Sequence, residues 1–350
     1  MRNTISTEER TPSTSTEETP VYVVVLSWNG LPDTLECIDS LERSAYPICH
    51  LVLVDNGSTD TTIISVRDRY PGVRIIQNSH NLGYAEGNNV GIRYALEKGA
   101  DYILLLNNDC TVPPDTISQL VAVADRDPLI GIVCPVIVSH YDHTKQFIGT
   151  IDWRNGSAGE KLVPSTTKIC FDAEYASGCA LLIKSRVVRE IGLLDPAYFA
   201  YYEDVDWSLR CKKAGYRVVV VGEARTYHKG TPDRTELKSP ILWYYYIRNQ
   251  RLFVRKYIER NHQLLLLVRY TLNCLVQFRR AMQENNEGKG TAILDGWWAG
   301  VIGRYGARRL TIPSRLRWLI LRCLNGWCWF AQRIRQLRRI CLGRRIAGQV

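Results

Sequence analysis

Between residues 21 and 230 the hydrophobic positions fall in short runs, and most of these runs stop at a polar turn. Val21 to Trp28 closes at Asn29-Gly30, and Leu31 to Leu41 follows with Leu35, Ile38 and Leu41 at helical spacing. His50 to Val54 is a second run, ended by Asp55 to Asp60 before a helix to Tyr70. Val73 to Gln77 is a third, and Asn81 to Asn89 leads into a helix that reaches about Lys98. In the fourth, Ile103 to Leu106 are apolar without alternation, and Asn107, Asn108 and Asp109 stop the run. Pro113-Pro114 then forces a turn before a helix over Asp115 to Asp125. Unalternating apolar runs mark strands covered on both faces, and strands alternating with helices predict a doubly wound, mostly parallel α/β sheet flanked by helices.

The next hundred residues read as Ile130 to Val138 (strand), Phe147 to Ser165 (glycine-rich hairpin or loop) and Ala176 to Lys184 (strand with a small-residue entrance). Tyr198 to Arg210 is an aromatic loop running into a helix, followed by a strand over Arg217 to Val221. Glu203, Asp204 and Asp206 fall at that helix's N-terminus, where negative charge is favoured. One acid there would serve as a cap; three behind a row of aromatic residues exceed what a cap needs.

Composition narrows the classes. A hydrophobic content of 45% supports a real core. The 11 cysteines include no CxxC pair and no sequence-adjacent His cluster, so a zinc site is not expected and free thiols in a reducing cytosol are the simpler account. Residues 1–20 are rich in Thr, Ser, Glu and Pro and read as a disordered tail without a signal-peptide h-region. No uncharged apolar run approaches the roughly 18 to 20 residues that cross a bilayer. The net charge of +10 is uneven, since residues 241–350 hold 21 Lys+Arg against 4 Asp+Glu and leave −7 for the first 240. Two regions with different partners follow, 21–240 and 241–350.

Ligands of open α/β sheets collect beyond the carboxyl ends of strands. The loops there, Ser27 to Gly30, Asp55 to Asp60, Asn81 to Asn89 and Asn107 to Asp109, make a nucleotide pocket. Asp55 could accept the ring N–H of a uracil or thymine, while Gly57, Gly83 and Gly87 would let backbone approach a ligand. Asp109 flanked by amides could hold a hard divalent cation, which could hold a diphosphate. The blander alternatives are an Asx turn at Asn107 to Asp109 and helix capping by Ser58 or Thr59. No Walker A sequence and no Gly-x-Gly-x-x-Gly after the first strand are present, which disfavours a P-loop NTPase and a dinucleotide-binding dehydrogenase.

These motifs, in order, are Ser27-Trp-Asn-Gly30, Val54 to Asp60, Asn81 to Asn88, Leu105 to Cys110, Ala176 to Cys179, Tyr202 to Trp207 and His228. Over roughly Val21 to Gly230 the chain resembles an inverting family 2 glycosyltransferase of the GT-A, Rossmann-like fold, in the rhamnosyltransferase-like branch. The resemblance implies that Asp204, with Glu203 beside it, serves as catalytic base and that Asp55 reads the base of the nucleotide. Ser27, Asn29, Asn56, Gly57, Asn81, Gly83, Asn88, Asn107 and Asn108 would line the nucleotide sugar. Asp109 and His228 would bind Mg2+ or Mn2+ or the diphosphate, and Gly178, Tyr202, Asp206 and Trp207 would lie on the acceptor side. Asn107 departs from the family's strict DxD form, leaving fewer charged metal ligands. The implied donor is a dTDP- or UDP-sugar, first dTDP-rhamnose, and the acceptor a glycan or lipid-linked sugar in surface polysaccharide synthesis.

The C-terminal region lies largely outside that match. Trp243 to Phe253 resembles the family's post-catalytic helix, with an aromatic face toward the acceptor, and Glu284 to Lys289 reads as a polar linker. Arg315 to Phe330 and Arg333 to Arg345 mix Arg with Trp and Leu as basic amphipathic helices do at a membrane interface. The expected location is therefore cytoplasmic, on the inner face of the plasma membrane. Nucleic acid is a less favoured partner for this region, and an oligomer interface is a further reading. A second functional class is a catalytically idle protein of the same fold that tethers lipid or nucleic acid; intact Asp109, Asp204 and His228 favour the enzyme.

Overall fold

The computed structural model describes residues 19–47, 49–164, 170–230 and 239–308. The expectations for residues 1–18 and for the basic segments between 315 and 345 lie outside the described residues.

The first half alternates as expected: β1 (Val21–Ser27), α1 (Leu31–Glu42), β2 (Cys49–Asp55), α2 (Thr62–Arg69), β3 (Arg74–Gln77), α3 (Gly83–Glu97) and β4 (Tyr102–Asn107). After a two-residue β5 (Cys110–Thr111) come α4 (Thr116–Asp125), β6 (Ile130–Ser139), the hairpin β7 (Gln146–Asp152) and β8 (Ser157–Val163), and a short β9 (Phe171–Asp172). β10 (Ala180–Lys184), α5 (Ser185–Ile191), α6 (Glu203–Lys213) and β11 (Arg217–His228) complete the α/β body. The helices α7 (Pro240–Tyr257), α8 (Arg260–Gln283) and α9 (Glu287–Ile302) follow.

The sheet order is β3-β2-β1-β4-β10-β6-β11-β5. β3, β2, β1 and β4 are mutually parallel, whereas β10 runs antiparallel to both β4 and β6. Successive side chains of β1 and β4 alternate between the two faces. Val21, Val23, Val25, Leu104 and Leu106 join one core with α1 and α4 residues such as Ile38 and Leu120. Val24, Ile103 and Leu105 join another with Ile92 of α3 and Trp207 of α6. Helices on both faces are why these strands are apolar throughout.

The reversed β10 has a consequence for the site. Its entrance, rather than its exit, lies at the carboxyl edge of β4, where the Asn107 N–H donates to the Cys179 carbonyl at 2.9 Å. The strand expected to end at Val221 continues, through an irregularity between Val221 and Arg225, to His228. There it pairs antiparallel with β5, setting His228 opposite Cys110.

The C-terminal helices are fixed to this body. Phe253 and Val254 of α7 pack with Tyr175, Tyr198, Tyr202 and Val205 in one cluster. α9 packs on α7 and α8 through Ile293 and Leu294. The expected linker at Glu284 to Lys289 is instead a tight turn and the first residues of α9, capped where the Asn286 side chain accepts from the Lys289 N–H at 3.0 Å.

Candidate active site

The loops after β1, β2 and β3 meet at one edge and are tied to each other. Asn29 donates its N–H to Ser58 Oγ at 2.9 Å, and its Oδ1 accepts from the Thr59 N–H at 2.8 Å. The Asn56 side chain is fully engaged: Nδ2 donates to Asn81 Oδ1 and the Gly83 carbonyl, and Oδ1 accepts from Asn78 Nδ2 and the Leu82 N–H. Asn81 Oδ1 also accepts from the Gly83 N–H. Asp55 sits buried at the tip of β2, its carboxylate accepting from the Ser58 N–H at 3.2 and 3.3 Å. Ser27 is buried against Thr34 Oγ1, and Asn88 is buried in α3 with Nδ2 bonded to the Tyr84 carbonyl. Ser27, Asn56, Asn81 and Asn88, expected to face the nucleotide sugar, thus also bond within the protein, Asn56 through both of its side-chain atoms and Asn81 and Asn88 through one each.

The glycines pack closely as well. A Cβ on Gly57 (φ +78) would stand 2.6 Å from His80 backbone, and one on Gly83 (φ +84) would stand 2.5 Å from the Phe199 ring. A Cβ on Gly87 would meet the Leu26 side chain at 2.7 Å. At all three positions the missing side chain lets protein meet protein, loop on loop and helix on strand.

At the end of β4, Asn108 Nδ2 donates to Thr34 Oγ1 at 3.0 Å, and Asn107 Oδ1 is buried without a hydrogen-bond partner. Asp109 Oδ1 lies 3.3 Å from His228 Nε2. Burial pushes the Asp109 carboxyl up, but His228 and Lys229 outweigh it and hold the group below its ordinary value. Burial likewise disfavours the His228 cation, yet Asp109 raises its affinity for a proton well above normal. A Cβ on Gly230 would come within 3.0 Å of His228 Nε2 and 3.3 Å of Asp109 Oδ2, so the glycine keeps that pair open. A hard carboxylate oxygen and an imidazole nitrogen this close fit a shared divalent cation. Cys110, Cys179 and His228 also bring donor atoms within 4.8 Å of one another. Sequence spacing pointed away from any Cys–His cluster; strand pairing across the sheet creates this one.

The third part is α6. Asp204 Oδ2 accepts from the Gly178 N–H at 2.8 Å and Oδ1 from the Val205 N–H at 2.8 Å. Burial pushes its carboxyl up to about 6, against the pull of those two N–H groups. Glu203 is buried with Oε2 unpartnered, and burial together with the Asp204 charge pushes its carboxyl well above the ordinary range. The next residue after Gly178 is Cys179, within reach of His228. The Gly178-Cys179 peptide thus joins the Asp204 carboxylate to the Asp109–His228 pair, and Tyr84 secures it by donating from its hydroxyl to the Gly178 carbonyl.

Two residues expected on the acceptor side lie elsewhere. Asp206 is buried and paired with Arg210 and Lys256 at 2.8 Å each, with the Tyr257 hydroxyl at 2.7 Å. Trp207 is fully buried, its Nε1 donating to the Gly192 carbonyl. Both anchor α6. Tyr202 is also buried, accepting from the Ala158 N–H at 3.2 Å.

Sequence reasoning missed Arg248 and Asn249. Phe199, Tyr201 and Tyr202 all have positive φ, a costly backbone for aromatic residues, and the segment must be held from outside. Asn249 Nδ2 lies 2.7 to 2.8 Å from the carbonyls of Tyr198, Ala200 and Tyr201. The Arg248 guanidinium is buried, donates to the carbonyls of Ala197 and Tyr198, and lies over the Tyr245 ring at 4.9 Å. The one available signal was an Arg-Asn pair amid the apolar residues of α7.

Residues 22–188 match the family model described as Glycosyl transferase family 2. These residues, just under half of the chain, carry a family 2 glycosyltransferase domain. This glycosyltransferase is 26% identical over 255 residues to the dTDP-rhamnosyl transferase RfbF of Shigella flexneri, covering 71% of this chain and 82% of that protein. It is 29% identical over 233 residues to the N-acetylglucosaminyl-diphospho-decaprenol L-rhamnosyltransferase of Mycobacterium tuberculosis, covering 59% and 75%. Among solved structures, the mannosyltransferase PcManGT of Pyrobaculum calidifontis, in complex with GDP-Man and Mn2+, superposes with a TM-score of 0.53 at 15% identity, over 83% of this chain and 88% of that one. GalNAc-T7 with UDP, GalNAc and Mn2+ gives 0.54 at 20% identity, over 67% of this chain and 48%, about half, of its own. At such identities the two structures bear on the fold alone, and it is the GT-A fold of the glycosyltransferase.

Proposed function

We propose that the enzyme moves a sugar from a nucleoside diphosphate to an acceptor hydroxyl by single displacement with inversion. Asp204 takes the acceptor proton as the oxygen bonds to C1 and the bond from C1 to the diphosphate breaks. A base positioned in this way contributes roughly 10² to 10⁴ in rate. Asp109 and His228 would hold a divalent cation, Mg2+ or Mn2+, which supplies charge neutralisation for the leaving diphosphate. Asp55 reads the base of the nucleotide. The observation that carries this reading is the Gly178-Cys179 segment, in which the Gly178 N–H bonds the Asp204 carboxylate and the adjacent Cys179 lies within reach of His228, the partner of Asp109.

The proposed donor is dTDP-rhamnose, with UDP-hexoses behind it, and the proposed acceptor is a glycan or lipid-linked sugar. Both choices draw on the names of the rhamnosyltransferase relatives. A lipid-linked acceptor would place the protein on the cytoplasmic face of the plasma membrane. The test is a screen of nucleotide sugars for diphosphate release with Mg2+ or Mn2+, followed by NMR assignment of the new anomeric centre. Release from dTDP-rhamnose with inversion is expected. Retention of configuration defeats the single displacement, and full activity in excess EDTA defeats the cation.

A further inference from the structure

α8 has two apolar faces, and the fold covers one. Leu266, Tyr270, Cys274, Phe278 and Ala281 are buried. Leu264, Leu265, Val268, Leu272 and Val276 remain 49% to 72% exposed. At 3.6 residues per turn the second set falls within an arc of about 120° on the opposite side of the helix. A continuous exposed stripe of this kind marks an interaction surface, unlike scattered single residues.

Charge says what covers it. Between Arg260 and Gln283 there is no Asp or Glu, and the basic residues are Arg260, Arg269, Arg279 and Arg280. Arg269, Arg279 and Arg280 are exposed and flank or interrupt the stripe. Arg269 also donates to the Arg154 carbonyl in the β7–β8 turn, which carries the exposed Trp153. A helix apolar on its outer face, arginine-bordered, acid-free, and next to an exposed tryptophan suits an anionic lipid surface: arginines meet headgroups and leucines enter the acyl boundary. Among the described residues no helix is long and apolar enough to cross a membrane, so α8 would lie in the interface plane.

We infer that the outer face of α8 docks the protein on anionic phospholipid bilayers, with Leu264, Val268, Leu272 and Val276 inserted and Arg269, Arg279 and Arg280 at the headgroups. This deepens the proposed membrane-surface role, resting on the lipid-linked-acceptor reading for its purpose only, because docking is measured without donor or acceptor.

The experiment is co-flotation of the full chain with phosphatidylcholine vesicles, with and without phosphatidylglycerol. Binding to the anionic vesicles is expected. The triple variant L264S/L272S/V276S should partition at least ~10-fold more weakly. R279Q/R280Q should weaken binding to the phosphatidylglycerol vesicles while leaving binding to phosphatidylcholine alone unchanged. Circular dichroism and diphosphate release from a soluble assay check that the variants stay folded and active. Equal vesicle binding by the triple variant and the unmutated chain overturns the inference and leaves residues 309–350 as the anchor. A salt-resistant dimer of the unmutated chain that the triple variant breaks, without change in flotation, overturns it in favour of a second copy. Loss of oligonucleotide binding in R279Q/R280Q with unchanged flotation overturns it in favour of nucleic acid. Loss of transfer activity alone would count against the catalytic proposal and not against docking.

Discussion

Asp204 owes its proton affinity to burial, and two backbone N–H groups keep it from rising further than about 6. A base must be ionised, so turnover should rise with pH through about 6 and level off above it, as a pH–rate profile would show. Because the folded value lies above the unfolded one, stability from this group is fully present below the ordinary carboxyl value of 3.8 and is lost as pH rises through about 6. Asp204→Asn should therefore keep or raise Tm at neutral pH while cutting turnover at least ~10²-fold. Burial and the neighbouring charge push the Glu203 carboxyl well above its ordinary range, and Glu203→Gln mimics its protonated form. It should keep turnover within about tenfold; the reverse ranking of the two variants would move the base to Glu203. At the other end of the site, Mn2+ should raise the Tm of the unmutated protein and leave Asp109→Ala unmoved, since binding to the folded state alone stabilises it. An equal Tm shift in both would remove Asp109 from the cation site.

At the level of elements, the reactive groups are placed by contacts between segments far apart in sequence. α6 begins where a left-handed aromatic segment ends, and α7 supplies the side chains that hold that segment. Asn249→Leu fills similar space but strips a donor from the carbonyls of Tyr198, Ala200 and Tyr201, the first of them buried, at an expected cost of about 2–4 kcal/mol. Chemical denaturation should register that cost. The kcat of any folded variant should fall further than its KM rises, because the start of α6 loses its register while the donor loops after β1, β2 and β3 are untouched. A variant with normal kcat would show that α7 only packs against the body and does not position the base.

For the whole molecule, the charge division near residue 240 does not coincide with a structural boundary. α7 lies past that point, yet Phe253 and Val254 complete a core with Tyr198 and Tyr202, and α9 rests on α7. A chain ending at residue 239 exposes that core and should be insoluble or unfolded. Ending the chain near residue 290 removes most of α9 and should lower Tm; ending it at 308 should leave Tm and donor hydrolysis unchanged. The comparison is a thermal melt and a diphosphate-release assay on the three truncations. Full activity in the 239-residue chain would show α7 to be dispensable.

The alternation of strand and helix, the buried character of each strand and the polar strand-end loops were legible in the sequence. Local rules determine them: an unalternating apolar run must be covered on both sides, and a run of Asn, Gly and Asp must turn. The candidate acids and His228 were legible as residue types, through the order of their motifs. Their partners were not. The antiparallel sense of β10 brings Gly178 to Asp204 and Cys179 to His228, and the β5–β11 pairing sets His228 beside Asp109. Asp206 and Trp207, though within one turn of Asp204, are turned into the core by α6, while Asp204 is left off its buried face. Periodicity fixes which residues share a face of their own element; which face meets the cleft is decided by the packing of strands and helices that are distant in the chain.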